Sequence, residues 1–546
     1  MSMRLFVVIA VGFVSLCTNS SAMFSEDSVA TFFIRTIRYD QRDVFDPNKP
    51  GWFFAAPLAN ALHSVTREYI LDDELLFAEG EETDSLMVHE TERNLRRTGL
   101  FSDVRVTTSA AGAAGERDVL VYTQDRWSLR PAVLFGTGGG ISNVGGKLEE
   151  MNFLGTATRI LLQGLHRSEN DIGWEGMALV EQRRLFRTEV GLLASLTANR
   201  VRTEQQVSFY KPFRTTLTPW AFGLDLLNAF GEDFTYVRSP QPELLPFHER
   251  SVFAWASQAY SVRDQLFVSG SVRANDVFRF VPASRQAFDN TGHLLVSFAS
   301  LRQQFKRSTF LNGYETEDLQ EGAWGSATIG RVFSMGNGGE SMWYVRGDAE
   351  QSGLISKDIY LFGGIGAASG FNKEGGRYTF LDASGIGHWR ASEQFVLASR
   401  FRVQTAWNWN AYRQLVLDFQ SGLRGYDANK LAGDNRFVSN AELRWFPGWK
   451  AWIFGLSAVA FYDAGTVWQQ GTSLQRTQMH HAVGAGIRIH NLTASGADAI
   501  YRFDIAYNLD DKRIAGIIFT TSQLFSAFGS HQYRPPDILG KEIDLQ

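Results

Sequence analysis

The spacing of apolar and polar positions changes character near residue 130. Beyond it, segments of about ten residues alternate, separated by clusters of Gly, Asn, Asp and Ser. In residues 501–509, Tyr501, Phe503, Ile505, Tyr507 and Leu509 share one face, while Arg502, Asp504, Ala506 and Asn508 share the other. Phe401, Val403, Thr405 and Trp407 oppose Arg400, Arg402 and Gln404 in the same way; Val483, Ala485, Ile487 and Ile489 oppose Gly484, Gly486 and Arg488. Two-residue alternation with charge on the second face predicts strands with lipid on one side and a wet lumen on the other. A soluble β-sandwich would alternate too, but roughly 400 residues is an unusual size for one, and aromatics recur near segment ends as interfacial girdles would. The expected fold is mainly β, a transmembrane antiparallel β-barrel over residues 131–525. About sixteen to eighteen candidate strands can be counted, and sixteen is the expected number.

Residues 29–126 mix periods instead. Residues 32–39 are rich in aromatic and β-branched side chains and read as a strand. Residues 52–65 and 84–97 read as helices, the second with Asp84 as N-cap and Gly99 as its stop. Residues 101–107 and 118–122 alternate as a hairpin around the Gly/Ala-rich turn at 110–115. The order β-α-α-β-β predicts one small α+β domain, a sheet with helices on one face.

Composition narrows the picture. The 546 residues include 42 Phe, 16 Tyr, 14 Trp and 51 Gly but only 13 Pro, which suits long strands joined by polar loops. A net charge of −5 leaves no concentrated basic face for nucleic acid. Residues 1–22 read as a secretory signal: Arg4 is the positive start, residues 5–16 the apolar stretch, and Ser20, Ser21 and Ala22 the small residues of a cleavage site. A buried N-terminal helix is the alternative, since the run is too short to cross a bilayer. The one cysteine, Cys17, follows Leu16, which is too bulky to precede a lipidated cysteine. Export without other cysteines fits an oxidising compartment lacking disulfides or thiolate metal sites; neither metal nor cofactor is expected. Past the signal no uncharged apolar stretch reaches ~18 residues, so an exported chain is either soluble or a barrel.

Two groups of residues carry a family resemblance. Glu74-Leu75-Leu76-Phe77-Ala78-Glu79-Gly80, Glu92-Arg93-Asn94-Leu95-Arg96-Arg97-Thr98-Gly99-Leu100-Phe101 and Val104-Arg105-Val106 resemble a POTRA domain, the polypeptide-transport-associated module. The helix must stop at Gly99 so that the next strand returns beneath it, and Val119, Leu120 and Val121 finish the sheet. Near the C-terminus, Leu423-Arg424-Gly425-Tyr426 resembles an Arg-Gly-aromatic signature on a loop that folds into a barrel lumen. Phe461-Tyr462-Asp463-Ala464-Gly465-Thr466-Val467-Trp468 resembles the strand that receives it, and Glu442 matches a second acid on the preceding strand. Gly146-Lys147-Leu148-Glu149-Glu150-Met151-Asn152-Phe153-Leu154-Gly155 is similar to a further strand signature. In these motifs the chain resembles the BamA/TamA family of outer-membrane assembly and translocation barrels, the bacterial surface antigen type.

The alternation agrees with the resemblance. Phe454, Leu456, Ala458, Ala460 and Tyr462 take one face, leaving Asp463 on the other with Ser457 and Gly465. Phe437, Leu443 and Trp445 take the lipid side, leaving Asn440, Glu442 and Arg444 inward. Both acids thus project into the lumen on neighbouring strands, where the five donors of Arg424 can bridge them. Two departures stand out: a single POTRA copy, and a tail at 526–546 beyond the expected closing strand at 516–525.

The resemblance implies a bacterial outer-membrane location, a soluble domain in the periplasm, and a monomeric barrel whose partners are outer-membrane lipid and client polypeptides. Function then follows from the seam between first and last strands, with Phe135, Gly136, Gly138, Gly516 and Phe519 as seam residues. The glycine-rich run at 136–140 has few side chains to pack, so its pairing should open easily, although a tight barrel turn would use the same glycines. An opened seam offers unpaired backbone groups to an incoming strand. A dedicated two-partner-secretion-like exporter or a passive channel is the alternative. No enzyme activity is expected. No Gly-x-Ser-x-Gly elbow occurs, His480-His481 sits at a strand start, and residues 140–147 lack the first Gly and the trailing Ser/Thr of a phosphate loop.

Overall fold

The computed structural model describes residues 31–44, 60, 63–112, 115–235, 243–260, 264–281, 288–308, 314, 317–336, 339–408, 415–451, 454–491, 500–520 and 531–540. The expected signal at 1–22, nearly all of the expected helix at 52–65, and residues 521–525 of the expected closing strand lie outside them.

The small N-terminal unit is a four-stranded sheet in the order β2-β1-β4-β3, from β1 (Phe32–Arg42), β2 (Glu82–Thr83), β3 (Phe101–Ala110) and β4 (Glu116–Asp125). Two helices cover it, α1 (Glu68–Glu74) and α2 (Ser85–Arg97). The Asp84 carboxylate caps α2 by accepting from the Met87 amide at 2.8 Å. Ile70, Leu71, Val88 and Leu95 of the helices bury against Ile34, Val104, Val119 and Val121 of the sheet. Among the described residues the element order is β-α-β-α-β-β: the edge strand β2 and the helix α1, which lies after the expected helix at 52–65, were not announced by the hydrophobic pattern.

From Leu129 onward, twenty antiparallel strands among the described residues close into a barrel. This corrects the expected sixteen. The two-residue strand Lys450–Ala451 adds no further place in the wall, because Asn435–Trp445 pairs directly with Phe454–Trp468. The shortfall has a physical source. Ile359–Asn372 and Gly375–Arg390 carry glycines inside the strands, where they read as turn signals. Two-residue connections at 139–140, 357–358 and 373–374 then blur where one strand ends and the next begins.

The outer face is greasy at mid-height: Val133, Val144, Leu162, Leu294, Phe298, Ile365, Phe401 and Ile505 are all exposed. Exposed tryptophans ring both ends, Trp220, Trp389 and Trp449 at one and Trp174, Trp343 and Trp407 at the other. An apolar band between two aromatic girdles is the surface a bilayer requires. Strands such as Thr291–Ser308 and Glu317–Ser334 are longer than the roughly ten residues a bilayer needs, so the wall rises beyond it on that side.

The small unit docks on the barrel end bearing the first of these girdles, here termed the domain end. Glu74 receives Arg184 at 2.8 Å and Arg214 at 2.9 Å, both from barrel turns, while its other oxygen accepts from Asn94 of α2. The turn after strand Ile141–Phe153 joins in: Arg67 donates its amide to the Gly155 carbonyl, and the Asn152 side chain donates to the Thr66 hydroxyl. The expected strand signature at 146–155 thus runs down one barrel strand and ends in this dock. Glu74→Ala leaves two half-buried guanidinium groups without their shared carboxylate and is expected to cost docking about 2 kcal/mol. Trypsin should then cut at Arg126 at least about tenfold faster with the barrel intact; unchanged cleavage would mean the domain is held elsewhere.

Candidate functional site

The connection between strands Phe395–Trp407 and Asn435–Trp445 enters the lumen from the end opposite the small domain. Its stem is a hairpin, Leu415–Leu417 paired with Leu431–Gly433. Asp418 organises the tip: one carboxylate oxygen accepts the amides of Gln420 and Ser421, the other that of Asn429, and its carbonyl accepts Leu423 at 2.7 Å. Leu417, Leu423 and Tyr426 bury against Val438 and Ala482 of the wall. The Asp418 turn and this apolar packing shape the tip that carries Arg424.

They deliver Arg424 into a fully buried position. Its Nε and Nη2 each donate to Asp463 at 2.7 Å, its own amide also donates to Asp463, and Nη1 donates to Glu442 at 2.7 Å. The Phe461 ring lies 3.5 Å from the guanidinium carbon, closing the face that carries no hydrogens. Bidentate pairing on one acid with a third donor on another uses the fixed fork that lysine lacks.

Gly425 is dictated by its surroundings. Its φ is +90°, and a Cβ there would sit 3.2 Å from Ala482 and 3.5 Å from Ala506. Its carbonyl accepts from Asn508 at 3.0 Å. Tyr426 then donates to Asp510 at 2.7 Å and receives the His481 amide. His480 pairs with Asp510, and His481 meets the Tyr462 hydroxyl at 2.7 Å, so both histidines sit at the rim beside the loop.

The cluster is larger than its three expected members. Asn440 donates to Asp463, and Arg444 makes two bonds to the second Glu442 oxygen. A third acid, Asp504, lies 3.5 Å from Arg424 and accepts from Arg488 and Arg502. Asp504 and Arg502 already share the polar face of their strand in the alternation. What the pattern lacked was the pairing register, which sets Asp504 in one row with Gly486, Val459 and Arg444, within reach of Arg424.

The seam residues lie elsewhere. Among the described residues, the first strand, Leu129–Gly138, meets the last, Arg513–Thr520, at the pair Phe519–Thr137. Phe135 stacks on Phe519 with ring centroids 5.3 Å apart, and Gly136 passes close to the Phe519 carbonyl. Gly516 lies in the last strand opposite a register shift at Ile505–Tyr507. Gly138 sits under the ring of Phe419, and so does Gly139, whose φ of +55° also makes the turn. Gly139 and Gly140 make the turn, and Gly138 and Gly139 are closely covered by Phe419. The loop also crosses the seam: Ala428 donates to the Gly139 carbonyl at 2.8 Å, and Asn429 reaches Glu169. Among the described residues no cluster of side chains has the make-up of a metal site.

No protein-family model matches the chain, and no curated protein does. Among solved structures it is similar to BamA from Haemophilus ducreyi lacking POTRA domains 1–3, at 12% identity over 90% of this chain and 84% of that one, with a TM-score of 0.41. It is also similar to CdiB from Escherichia coli (12%, 89% and 75%, 0.45) and CdiB from Acinetobacter baumannii (12%, 89% and 73%, 0.42).

Arg424→Ala takes the guanidinium from buried Asp463 and leaves Glu442 with Arg444 alone, and is expected to cost about 3–5 kcal/mol. The barrel should stay closed, judged by its heat-modifiable migration on a gel, while an added protease gains access to residues 415–431. Arg424→Lys should fall between, keeping the charge without the fork. A protease-resistant loop in Arg424→Ala would show that packing alone holds it.

Proposed function

We propose that this chain is an outer-membrane barrel that assists insertion or translocation of client polypeptides, with the Arg-Gly-Tyr loop as a latch across its seam. The carrying observation is the reach of the loop: buried Arg424 pins it to Asp463 and Glu442 before the seam, while Ala428 and Asn429 bond to Gly139 and Glu169 beyond it. A seam that opens exposes backbone donors and acceptors on both sides, the feature by which an edge strand recruits another.

In this reading Arg424 anchors the loop to the strands before the seam, and Ala428 and Asn429 hold the strands after it. Ion pairs from the loop to the last hairpin, Lys430 to Asp511 and Arg513 to Asp427, complete the clasp. The latch keeps register across the seam, and a client strand enters by extending either edge once it opens. The small domain, POTRA-like and facing the periplasm, lies beside the entry with β3 as an edge of its own sheet. Twenty strands also favour a second reading, export through the lumen, because barrels of sixteen to eighteen strands already leave an aqueous channel.

Paired cysteines distinguish the two routes. Thr137→Cys with Phe519→Cys ties the seam, and Ser297→Cys with Thr328→Cys ties a full ladder as control. Seam locking should abolish client assembly until a reductant is added, with the control pair active throughout. Full activity of the oxidised seam pair would exclude lateral entry and leave the lumen route.

A further inference from the structure

The segment 531–540, beyond the last strand, lies inside the barrel along the wall opposite the latch. It runs from the domain end to the far end. Tyr533 packs on Phe213, in the turn after strand Arg202–Lys211, while Leu539 meets Tyr344 and Tyr378, at the far-end starts of Met342–Ser356 and Gly375–Arg390. It pairs with no strand. Pro535 and Pro536 lack amide hydrogens and hold it extended.

What holds it is a set of wall side chains that grip backbone. The Gln320 amide accepts from the His531 N–H at 2.8 Å and donates to its carbonyl at 2.8 Å. Near the other end, the Leu539 N–H donates to the Tyr344 hydroxyl at 2.8 Å, and the Tyr378 hydroxyl donates to the Leu539 carbonyl. Arg346 takes the Asp537 carbonyl at 2.9 Å between them. These grips read peptide units and are indifferent to sequence.

Between them lie pockets for side chains. Tyr533 enters a box of Phe213, Trp255, Phe267 and Trp324, with its hydroxyl on Ser269 at 3.0 Å. Glu350 receives both Nη groups of Arg534 at 2.5 and 2.8 Å. Arg273 meets Asp537 at 2.5 Å, and Ile538 buries among Leu295, Val332 and Tyr344. A wall that only had to be wet would need no aromatic box and no matched pair of opposite charges.

We propose that this wall is a binding track for an extended polypeptide, and that residues 531–540 are its resting occupant, displaced when a client enters. The track selects an aromatic residue followed by a cation, then an acid three positions further and an aliphatic side chain after it. The inference rests on the reading of the barrel as a handler of client polypeptides, but its test does not.

Ion conductance of the purified chain in planar bilayers provides that test. A chain ending at residue 530 should conduct several-fold more than the full chain. Adding the synthetic decapeptide of residues 531–540 should bring it back to the full-chain level. The same peptide carrying Tyr533→Ala and Asp537→Ala should need at least tenfold more to do so. Closure of each barrel is checked by heat-modifiable migration. If the shortened chain fails to close, full-length Tyr533→Ala/Arg534→Ala replaces it, with raised conductance and block by the unaltered peptide as the same expectations. Equal conductance with and without the segment overturns the plug, and an open barrel indifferent to the peptide overturns the track. Neither result depends on client assembly, so loss of that activity in the seam experiment stands apart.

Discussion

A guanidinium buried in the wall region of a barrel is stable only if its donors are met, and Arg424 is met on every side. Two carboxylates and an aromatic ring receive it, and Asn440, Arg444, Arg488 and Arg502 keep the acids themselves supplied. Removing Arg424 takes the guanidinium from Asp463 and leaves Glu442 with Arg444 alone, in a place water reaches poorly, which is why such a cluster acts as a unit. The loop is consequently pinned at one point, and the rest of its course follows from that point: Gly425 against two alanines, Tyr426 at the rim, Ala428 across the seam.

The pinned loop and the C-terminal segment divide the lumen between them. One lies on the strands running into the seam and reaches over it; the other lies on the wall opposite and reaches from end to end. The segment follows the last strand in the chain, so the element that closes the barrel and the element that fills it are covalent neighbours separated by residues 521–530. A change in the pairing of Phe519 with Thr137 therefore occurs close in sequence to the segment occupying the track. Seam and lumen need not be rival routes; they are two surfaces reached from one chain end.

Much of this organisation is written in the alternation of side chains. Strands expose one face to lipid and the other to the lumen, so a greasy Tyr462 or Leu443 forces Asp463 or Glu442 inward whatever the rest of the chain does. The helix Ser85–Arg97 is legible for a local reason too, an aspartate before it and Gly99 after it. Strand number was less legible, because glycines inside Ile359–Asn372 serve close wall packing and yet look like turns. The third acid, Asp504, needed pairing register, which no single strand encodes. The C-terminal segment was beyond reach. It has no period, and its partners Ser269, Arg273, Tyr344 and Glu350 lie some two hundred residues earlier in the chain, roughly the length of a whole domain.

Amide hydrogen exchange of the unmodified protein in lipid nanodiscs tests most directly whether the buried arginine organises the loop. Within 423–429 the amides of Leu423, Arg424, Ala428 and Asn429 donate to Asp418, Asp463, Gly139 and Asp418 in turn, so these four should exchange as slowly as the flanking strand Asn435–Trp445. The exposed connection at 469–479 should exchange quickly beside them. If these four amides exchange as fast as 469–479, the loop is not anchored in the lumen, and the latch has no physical basis.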